Sequence, residues 1–564
     1  MAVLEHEVLV IGAGLAGLRA AIEAKRKGAD VAVITKVYPV RSHSNAAQGG
    51  INASMGEEGS DDSWEVHAFD TVKGSDYLGD QDAIEAMCRE AGPAIIELEH
   101  MGVIFNRDDT GHLGKRAFGG ASFQRTFYVA DITGQVMLNV LYEQALKAGI
   151  KFYDESIVTS LLMRDGACAG AIAMELANSE IHVFNAKAVV MCSGGLGRVY
   201  EPSTNALICT GDGIALAYYA GAPLMDMEMV QYHPTTLKGN GALMTEGARG
   251  EGAYLLNSKG ERFMKEYAPN KLELASRDVV SRAEATEIEA GRGVDGCVLL
   301  DLRHLGKDLI MSKLGQIYQL AKDFANTDMV NEPVKVRPGM HYQMGGIKTD
   351  INGATPVPGL YAAGECACVS VHGGNRLGAN SLLDTIIFGR RAGVHAAGYV
   401  KGIGTHTKFD ATAARNDQSR IKDLMGRENL DDTVAGIRLE LGTTMDSKVA
   451  VYRNEQGLNE ALKKIAELKS RYSRVGVGDK NQIFNTNLQF TLELGYMLDL
   501  AETIILGAIE RKESRGAHFR RDYPDRNDAQ YMKHIMMTYA NGAKPKISTA
   551  PVVVTRWKPM ARTY

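Results

Sequence analysis

The sequence lacks several features that would place it in other classes of protein. It contains no apolar run near the length of about 20 residues that a membrane-spanning helix requires. Its formal net charge of -5 offers no basic surface to the phosphates of a nucleic acid. Residues 1–7 carry neither an apolar signal core nor an Arg-rich transit pattern. We therefore expect a protein of the cytoplasmic side that neither binds nucleic acid nor spans a membrane itself.

Cysteine is scarce and scattered along the chain. Seven cysteines occur in 564 residues, and only Cys366 and Cys368 lie close together. This pair lacks the further ligands that a zinc ion or an iron-sulfur cluster needs. The pattern predicts reduced structural thiols and no metal site.

A dinucleotide-binding pattern begins near the N-terminus. Residues 7–11 form a short apolar segment that leads into GAGLAG at 12–17, and a helix is predicted over 18–27. In such a pattern the first glycine makes the turn, the second admits a pyrophosphate, and the third allows close helix packing. The next predicted strand, 31–35, ends at Thr35 and Lys36 without the usual acidic residue, which argues against an ordinary NAD site.

Residues 41–50, RSHSNAAQGG, follow that second strand and place one histidine ahead of a glycine pair. A neutral imidazole nitrogen of His43 can add to the ring methyl of an oxidised flavin. Gly49 and Gly50 let the backbone lie flat against a ring or a small substrate. A surface histidine in a polar loop is the alternative for His43 taken alone, so the rest of the chain has to decide.

Two later segments predict helix starts that face a cofactor. At residues 211–213, Asp212 either caps a helix, contacts the flavin, or does both. The apolar segment 358–365 ends in Gly-Glu, and the sequence soon after predicts a capping box with Ser381 as N-cap and Asp384 at the third helical position. A helix N-terminus at this place would stabilise the anionic reduced flavin.

The two halves of the cofactor pattern are far apart in sequence, so we predict an α/β fold with an insertion. A Rossmann-like FAD-binding domain (1–228 and 341–412) is split by a capping domain (229–340), and a helical domain (413–520) and a small C-terminal domain (521–564) follow. In the helical part, apolar residues between 494 and 508 recur at helical spacing. The charged side chains of Glu493 and Arg511 fall outside this stripe.

Five segments rich in His, Arg or Thr lie near the predicted borders of the capping domain. They are QYHPT (231–235), TEGARGEG (245–252), ASRDVVSR (275–282), HYQMGG (341–346) and NRLG (375–378). Taken singly, each is explained equally well by a core hydrogen bond, an ion pair or a turn. Together they predict a cleft lined with donors for a small dianion.

With the RSH and AQGG motifs, these segments resemble the flavoprotein subunit of the succinate dehydrogenase and quinol:fumarate reductase family over nearly the whole chain. The resemblance implies FAD bound covalently through His43. It also implies FAD contacts from Gly12, Ala13, Gly14, Leu15, Ala16, Gly17, Thr35, Lys36, Ser42, Ser44, Gln48, Gly49, Gly50, Asp212, Glu365, Asn380, Ser381 and Leu382. The residues matching the substrate site are His233, Thr245, His341 and Arg376, with Phe118 and Gly50 beside them.

The resemblance further implies a mechanism. Oxidation of succinate removes a hydride from one CH₂ group and a proton from the other, so both carbons must be held in place. Arg277 matches the residue that takes the proton. We expect Arg249 to supply positive charge nearby, and Glu246 and Asp278 to relay the proton to solvent.

The family also implies partners. Electrons would pass to an iron-sulfur subunit and on to quinone in a membrane anchor, which places the chain peripherally at the cytoplasmic face of a bacterial or archaeal inner membrane. Fumarate reduction as the physiological direction remains an alternative, as does a soluble flavin oxidase resembling L-aspartate oxidase. That oxidase lacks a histidine at the position of His43, which favours the dehydrogenase. A non-catalytic, nucleic-acid-associated FAD protein is disfavoured by the charge and by the cleft motifs.

The chain departs from the family pattern at Ala248, where much of the family has cysteine. Thiol reagents can inactivate an enzyme in a way that bound substrate prevents. We expect such inactivation to be weak or absent here.

Overall fold

The computed structural model describes residues 2–56, 59–404, 411–428 and 432–562. The strands are β1 Val3–Ile11, β2 Val31–Ile34, β3 Ile51–Asn52, β4 Lys115–Arg116, β5 Thr126–Phe127, β6 Lys151–Tyr153, β7 Ser156–Arg164, β8 Ala167–Glu175, β9 Ile181–Met191, β10 Leu224–Met225, β11 Val230–Leu237, β12 Tyr254–Leu256, β13 Val298–Asp301, β14 Val334–Gln343, β15 Gly346–Lys348, β16 Leu360–Ala362, β17 Ala367–Cys368, β18 Lys533–Thr538 and β19 Lys546–Pro551. The helices are α1 Leu15–Arg26, α2 Trp64–Gly74, α3 Gln81–Met101, α4 Thr133–Lys147, α5 Asp212–Tyr219, α6 Glu246–Gly250, α7 Met264–Tyr267, α8 Arg277–Glu289, α9 Lys307–Lys313, α10 Gly315–Ala325, α11 Asn380–Lys401, α12 Ala411–Gly426, α13 Val434–Lys448, α14 Glu455–Tyr472, α15 Thr486–Glu510 and α16 Asp528–Tyr531.

The main sheet has the strand order β6-β2-β1-β9-β8-β7, with β16 also paired to β9. Strand β1 lies parallel to β2 and β9, and its last four residues are almost fully buried because both faces of the sheet are covered. The helix after β1 begins at Leu15, three residues before the predicted start at residue 18. This arrangement points the N-terminus of α1 at the carboxyl edge of the sheet, where nucleotides bind in such folds.

Helices α1 and α11 cross closely enough that only glycine fits at the contact. A Cβ added to Gly393 would lie 2.2 Å from the carbonyl oxygen of Ala20, and one on Gly389 would lie 2.6 Å from that of Ala16. The crossing fixes the start of α11 beside the start of α1. The two halves of the cofactor pattern are thereby joined, although more than 300 residues separate them in sequence.

The predicted capping box at the start of α11 is wrong. The helix begins at Asn380 after Ala379, whose φ is 63°, and no side chain caps it. Ser381 lies in the first turn, where its Oγ accepts a hydrogen bond from Nη1 of Arg376 at 3.2 Å. Asp384 instead accepts from the hydroxyl of Tyr342 at 3.2 Å. Both side chains that the local pattern had assigned to the cap therefore bind partners from other segments of the chain.

The inserted segment forms its own unit over the sheet. Strands β11-β14-β13-β12 make a four-stranded antiparallel sheet, and helices α6 to α10 surround it with a separate apolar cluster. Strand β14 runs to Gln343 and so passes the predicted border at residue 340. Because β11 and β14 both connect the insertion to the FAD-binding part, the residues at their ends lie where the two units meet.

The region after residue 410 is helical, and its apolar stripe is confirmed. The seven apolar positions of α15 that the spacing selected are Leu494, Met497, Leu498, Ala501, Ile504, Ile505 and Ala508, and all are at most 1% exposed. Glu493 and Arg511 fall outside the stripe in the sequence, and the structure buries both side chains in ion pairs. Helix α12 begins at Ala411, just before the predicted border at residue 412.

The C-terminal strands extend a sheet of the FAD-binding part rather than standing apart. Strand β18 pairs with β10 and with β19, giving the order β17-β15-β10-β18-β19. All seven cysteines are buried and unpaired, as the scattered pattern predicted. Over the described part of the chain, no helix combines the length and the apolarity needed to cross a bilayer.

Candidate functional site

One continuous cavity runs from the N-terminus of α1 to the inner face of the insertion. It brings together nearly all of the residues selected from sequence for cofactor and substrate. The exceptions among the cofactor residues are Gly17 and Asn380, which do not line it. Gly17 packs against the turn, since a Cβ there would lie 1.9 Å from the carbonyl oxygen of Gly12. Asn380 is fully buried and hydrogen-bonds to Asn52 and His67 behind the cavity wall.

The cavity begins at a backbone cradle. Gly12 has a φ of 106°, and a Cβ there would lie 2.2 Å from the carbonyl oxygen of Cys192. Gly14 precedes the first turn of α1, whose Leu15 N–H donates to Oγ of Ser44 at 3.2 Å. Bare backbone and the exposed N–H groups of a helix N-terminus form an anion-binding surface.

Beside this cradle, Lys36 stands where dinucleotide folds usually have an acid. Its Nζ lies 2.9 Å from Oδ2 of Asp212 and 2.7 Å from Oε1 of Glu493. Burial alone would lower the pKa of Lys36, but these two carboxylates hold it above its ordinary value. Asp212 is the first residue of α5, and the preceding Gly211 occupies the N-cap position, so Asp212 is not the cap. Its carboxylate lines the cavity instead.

His43 lies on the cavity wall in a short 3-10 turn. Its Nδ1 accepts a hydrogen bond from the backbone N–H of Ala206 at 3.3 Å. Burial, together with the positive charge of Arg198, lowers the pKa of His43 to about 4. The imidazole is therefore neutral at physiological pH, which is the state required of a nitrogen nucleophile.

At the far end of the cavity, the four predicted carboxylate-binding side chains come together. The rings of His233 and His341 lie 4.9 Å apart between centroids. Thr245 is the N-cap of α6, and its hydroxyl accepts from the N–H of Gly247 at 3.2 Å. Arg376 approaches from the FAD-binding part. All four side chains line the same cavity, so one small dianion can contact all of them.

The two histidines are held neutral. Burial and then the charges of Arg277 and nearby arginines lower the pKa of His233 well below its ordinary value, and burial and Arg277 do the same for His341. Nδ1 of His233 accepts the backbone N–H of Thr235 at 3.2 Å, so its proton is on Nε2. A neutral imidazole can still donate a hydrogen bond to a carboxylate through that nitrogen.

Arg376 is a second buried arginine of the site, beside Arg277. It is 2% exposed, its guanidinium lies 4.6 Å from the ring centre of Tyr342, and its Nε has no hydrogen-bond partner among the described residues. Burial, followed by repulsion from Arg277, lowers the pKa of Arg376 to about 9. A buried arginine with an unused N–H is a site for an anion.

Arg277 is the first residue of α8, and a carboxylate fixes its orientation. Its Nε donates to Oε2 of Glu246 at 2.7 Å, and its Nη1 donates to Oε1 of Gln231 at 3.0 Å. Glu246 also accepts the N–H of Gly119 at 2.8 Å. Burial acts to raise the pKa of Glu246, but Arg277 and Arg249 outweigh it and the pKa is lowered. Nη2 of Arg249 lies 3.8 Å from Oε2 of Glu246, the oxygen that also binds Arg277.

The expected role of Asp278 is not supported by its contacts. Its carboxylate binds Ser276, Arg282 and Arg562, and the described residues show no hydrogen bond from it to Arg277. It does not line the cavity. Arg562 and Arg282 outweigh burial and hold its pKa well below the ordinary range. These contacts make Asp278 an ion-pair anchor for the first turn of α8, and its role in proton relay stays a prediction.

Two residues that organise the site, Gln231 and Arg116, were given no role in the sequence analysis. Gln231 was part of a chosen motif but had no assigned role, and its Nε2 donates to Oδ1 of Asn375 at 2.9 Å and to the carbonyl oxygen of Arg376 at 2.7 Å. Arg116 holds the glycine pair by donating from Nη2 to the carbonyl oxygen of Gln48 at 2.8 Å. Only the position of Gln231, two residues before His233, could have drawn attention to it.

The residues present fit FAD. The glycine cradle leaves room for a diphosphate, and Gly49 faces the ring of Phe118 so closely that a Cβ would lie 2.8 Å from it. The buried Oγ of Ser193 and Oε1 of Gln48 line the cavity with no hydrogen-bond partner among the described residues. Such unsatisfied polar atoms in a cavity are what a polar ring system would pair with.

Comparison with known proteins agrees with this geometry. Residues 7–382 match the family model described as FAD binding domain, and residues 438–564 match the one described as Fumarate reductase flavoprotein C-term. The chain is 46% identical to the succinate dehydrogenase flavoprotein subunit of Rickettsia conorii, covering 98% of this chain and 96% of that one. It is 44% identical to the fumarate reductase flavoprotein subunit of Mycobacterium tuberculosis, covering 99% of both.

A solved structure of E. coli quinol fumarate reductase FrdA superposes with a TM-score of 0.96 at 39% identity, covering 100% of this chain and 99% of that one. Family models, full-length relatives and fold thus agree, and the FAD cofactor follows from them. The chain belongs to the succinate dehydrogenase and fumarate reductase flavoprotein family.

Proposed function

We propose that the chain interconverts succinate and fumarate as the flavoprotein subunit of a respiratory oxidoreductase. The observation that carries this proposal is the position of Arg277. Arg277 lines one cavity together with His233, His341, Thr245 and Arg376, the side chains that can donate hydrogen bonds to the carboxylates of a substrate. The glycine-lined cofactor region opens into the same cavity. The full-length similarity to subunits of both names supports the same reaction.

The side chains divide the work of the reaction. When bound, FAD supplies the hydride acceptor or donor. Arg376 and the histidine pair hold the two carboxylates, and fixing both carbons in this way is the kind of orientation that lowers a barrier by several kcal/mol, up to ~7–11. Arg277 takes the proton from the second carbon in the oxidising direction and returns it in the reducing direction. Glu246 fixes the guanidinium in the orientation that this transfer requires.

We further propose that His43 binds the flavin covalently. Its neutral imidazole on the cavity wall supports this assignment. An alkyl-histidyl bond raises the potential of the flavin, which succinate oxidation needs because the succinate/fumarate couple is more oxidising than free flavin. The test is a denaturing gel viewed under ultraviolet light. Flavin fluorescence should stay with the chain and map to the peptide containing His43, and loss of all flavin from fully loaded protein would refute the bond.

The proposed assembly follows from the family. In this proposal electrons pass from the flavin to an iron-sulfur subunit and then to quinone in a membrane anchor, and the name of the E. coli relative, a quinol fumarate reductase, supports the quinone as the final partner. The chain is then peripheral, held at the cytoplasmic face of a bacterial or archaeal inner membrane through its partners. Co-purification of the tagged chain with an iron-sulfur protein from solubilised membranes would test this, and recovery of the chain alone would count against it.

A steady-state assay separates this function from that of an aspartate oxidase. The flavin-loaded protein is supplied with succinate or L-aspartate, using an artificial dye acceptor or oxygen. The proposal predicts dye-dependent turnover with succinate and little with L-aspartate, because Arg277 and Arg376 in the same cavity repel an ammonium group. Rapid oxygen-dependent turnover of L-aspartate would contradict it. Running the assay with fumarate and a reduced dye gives the ratio of the two directions.

A further inference from the structure

Glu284 is a buried carboxyl group to which the reaction described above gives no role. Its side chain is fully buried, and neither of its oxygens has a hydrogen-bond partner among the described residues. Burying an unpaired carboxylate is costly, so such a group is retained as the neutral acid or serves a function. A buried polar group without partners calls for a specific explanation.

The position of Glu284 relates it to the proton-transferring arginine. It lies seven residues after Arg277 on α8, which puts both on the buried face of that helix, about 10 Å apart along its axis. On neighbouring α6, Glu246 and Arg249 stand three residues apart and share one face. The ion pairs therefore run from Arg277 through Glu246 to Arg249.

Arg249 has unused donors at the inner end of this series. Its Nη1 donates to the carbonyl oxygen of Glu273 at 2.5 Å, but its Nε and Nη2 are buried without a hydrogen-bond partner among the described residues. Arg249 therefore has two unused N–H groups and Glu284 has two unused oxygens, and the charge of each residue acts on the pKa of the other. One water molecule between such groups would satisfy atoms on both sides.

The electrostatic surroundings keep a proton on Glu284. Burial raises its pKa well above the ordinary value, and the charge of Arg249 opposes this only in part. The next carboxylate on the same face, Glu287, is different, because it pairs with Arg292 and accepts from Tyr267 and Asn257. Its pKa is lowered to about 2, first of all by the hydrogen bonds from Arg292. One helix thus carries a stored proton at Glu284 and a fixed carboxylate at Glu287.

We propose that Glu284 exchanges a proton with Arg249 across a water molecule and so extends the proton path of Arg277 by one residue. The inference rests on the proposed role of Arg277. In fumarate reduction the O–H bond of Glu284 breaks and Arg249 gains that proton while passing one of its own to Glu246. Glu246 passes its proton to Arg277. This proton replaces the one that Arg277 delivered to the substrate carbon. Glu284 is left as a carboxylate until a proton, carried from solvent by water molecules that enter this buried region, restores it, and succinate oxidation runs the same transfers in reverse.

The test compares Glu284→Gln with Glu287→Gln in the flavin-loaded protein. Glutamine keeps the size and polarity of Glu284 but cannot exchange the proton. We expect kcat for fumarate reduction to fall roughly tenfold, less than the ~10²–10⁴ of a group acting directly, with KM unchanged. The rate of the wild type should fall at high pH as Glu284 ionises. This fall should be absent from Glu284→Gln. Glu284→Asp should restore part of the rate.

The control is matched because Glu287 is a buried carboxylate on the same helix and face. Glu287→Gln should lower the melting temperature while leaving the shape of the pH profile as in the wild type. If Glu284→Gln keeps the wild-type kcat and pH profile, or if both variants change the profile equally, the proposal is overturned.

An infrared measurement separates this inference from the proposed function. At neutral pH the wild type should show a protonated carboxyl band that Glu284→Gln removes and Glu287→Gln retains. Absence of that difference overturns the stored proton, whatever the activity. A variant Arg277→Lys with full activity would instead overturn the proposed role of Arg277 while leaving the band in place.

Discussion

The substitution Arg277→Lys tests the proton-transfer assignment most sharply, because it keeps the charge and changes the geometry. Arg277 donates from Nε to Glu246 at 2.7 Å and from Nη1 to Gln231 at 3.0 Å. Lysine has one nitrogen on a flexible stem and cannot span both acceptors as the planar guanidinium does. At least one hydrogen bond to a charged group is lost, which is worth about 1.5–3 kcal/mol, and the proton-carrying nitrogen is displaced.

The expected effect falls on turnover. Loss of a correctly placed acid-base group reduces kcat by ~10²–10⁴. That range corresponds to about 3–5 kcal/mol in the barrier. Flavin content should stay unchanged, because the glycine cradle and His43 are untouched.

The assay measures kcat and KM for succinate and for fumarate, with bound flavin determined by absorbance. Arg282→Lys is the matched control, since Arg282 lies on the same helix, is 22% exposed at its side chain, and points to the carbonyl oxygen of Gly516. The control should retain nearly full activity. A near wild-type kcat for Arg277→Lys would refute the assignment.

Three further predictions concern the cofactor, the substrate and stability. His43→Ser should leave FAD non-covalently bound and reduce succinate oxidation far more than fumarate reduction, which steady-state rates in both directions measure. Arg376→Met should raise KM for succinate by about tenfold to a hundredfold, because a buried charged hydrogen bond is worth about 1.5–3 kcal/mol, and an unchanged KM would count against the substrate clamp. The third concerns His534, whose Nδ1 lies 2.6 Å from Oδ2 of Asp226. Burial would lower the pKa of His534, but Asp226 outweighs it and raises the pKa to about 9. The stabilisation, about 3 kcal/mol for a shift from 6.5 to about 9, is complete below the unfolded pKa and is lost as pH rises through 9. The melting temperature should therefore fall between neutral pH and pH ~10 in the wild type, and a fall of the same size in His534→Gln would contradict this origin.

Much of the fold was predictable where its signals are local. The turn at Gly12, the helix after it and the stripe of α15 each follow from the spacing of residues that are neighbours in sequence. The ion pair of Glu493 could not be found in this way, since its partner Lys36 lies 457 residues away. A charged residue beside an apolar stripe is usually solvated, and only the docking of α15 on the FAD-binding part buries this one.

Distant partners also set the directions of side chains at the site. Ser381 and Asp384 have the spacing of a capping box, but Arg376 and Tyr342 reach them from other segments and use their oxygens. Asp278 is adjacent to Arg277 in sequence, yet its carboxylate accepts a hydrogen bond from Arg562, 284 residues further along the chain. Motifs selected residues that line the cavity, whereas the direction of each side chain depended on partners far away in the chain.

The most direct test of the central claim is an anaerobic titration of the flavin-loaded protein with succinate. The account predicts that the absorbance of the oxidised flavin bleaches as succinate is added, that an equivalent amount of fumarate appears, and that added fumarate restores the absorbance. If succinate leaves the flavin oxidised while a chemical reductant bleaches it fully, the cavity around Arg277 does not interconvert succinate and fumarate.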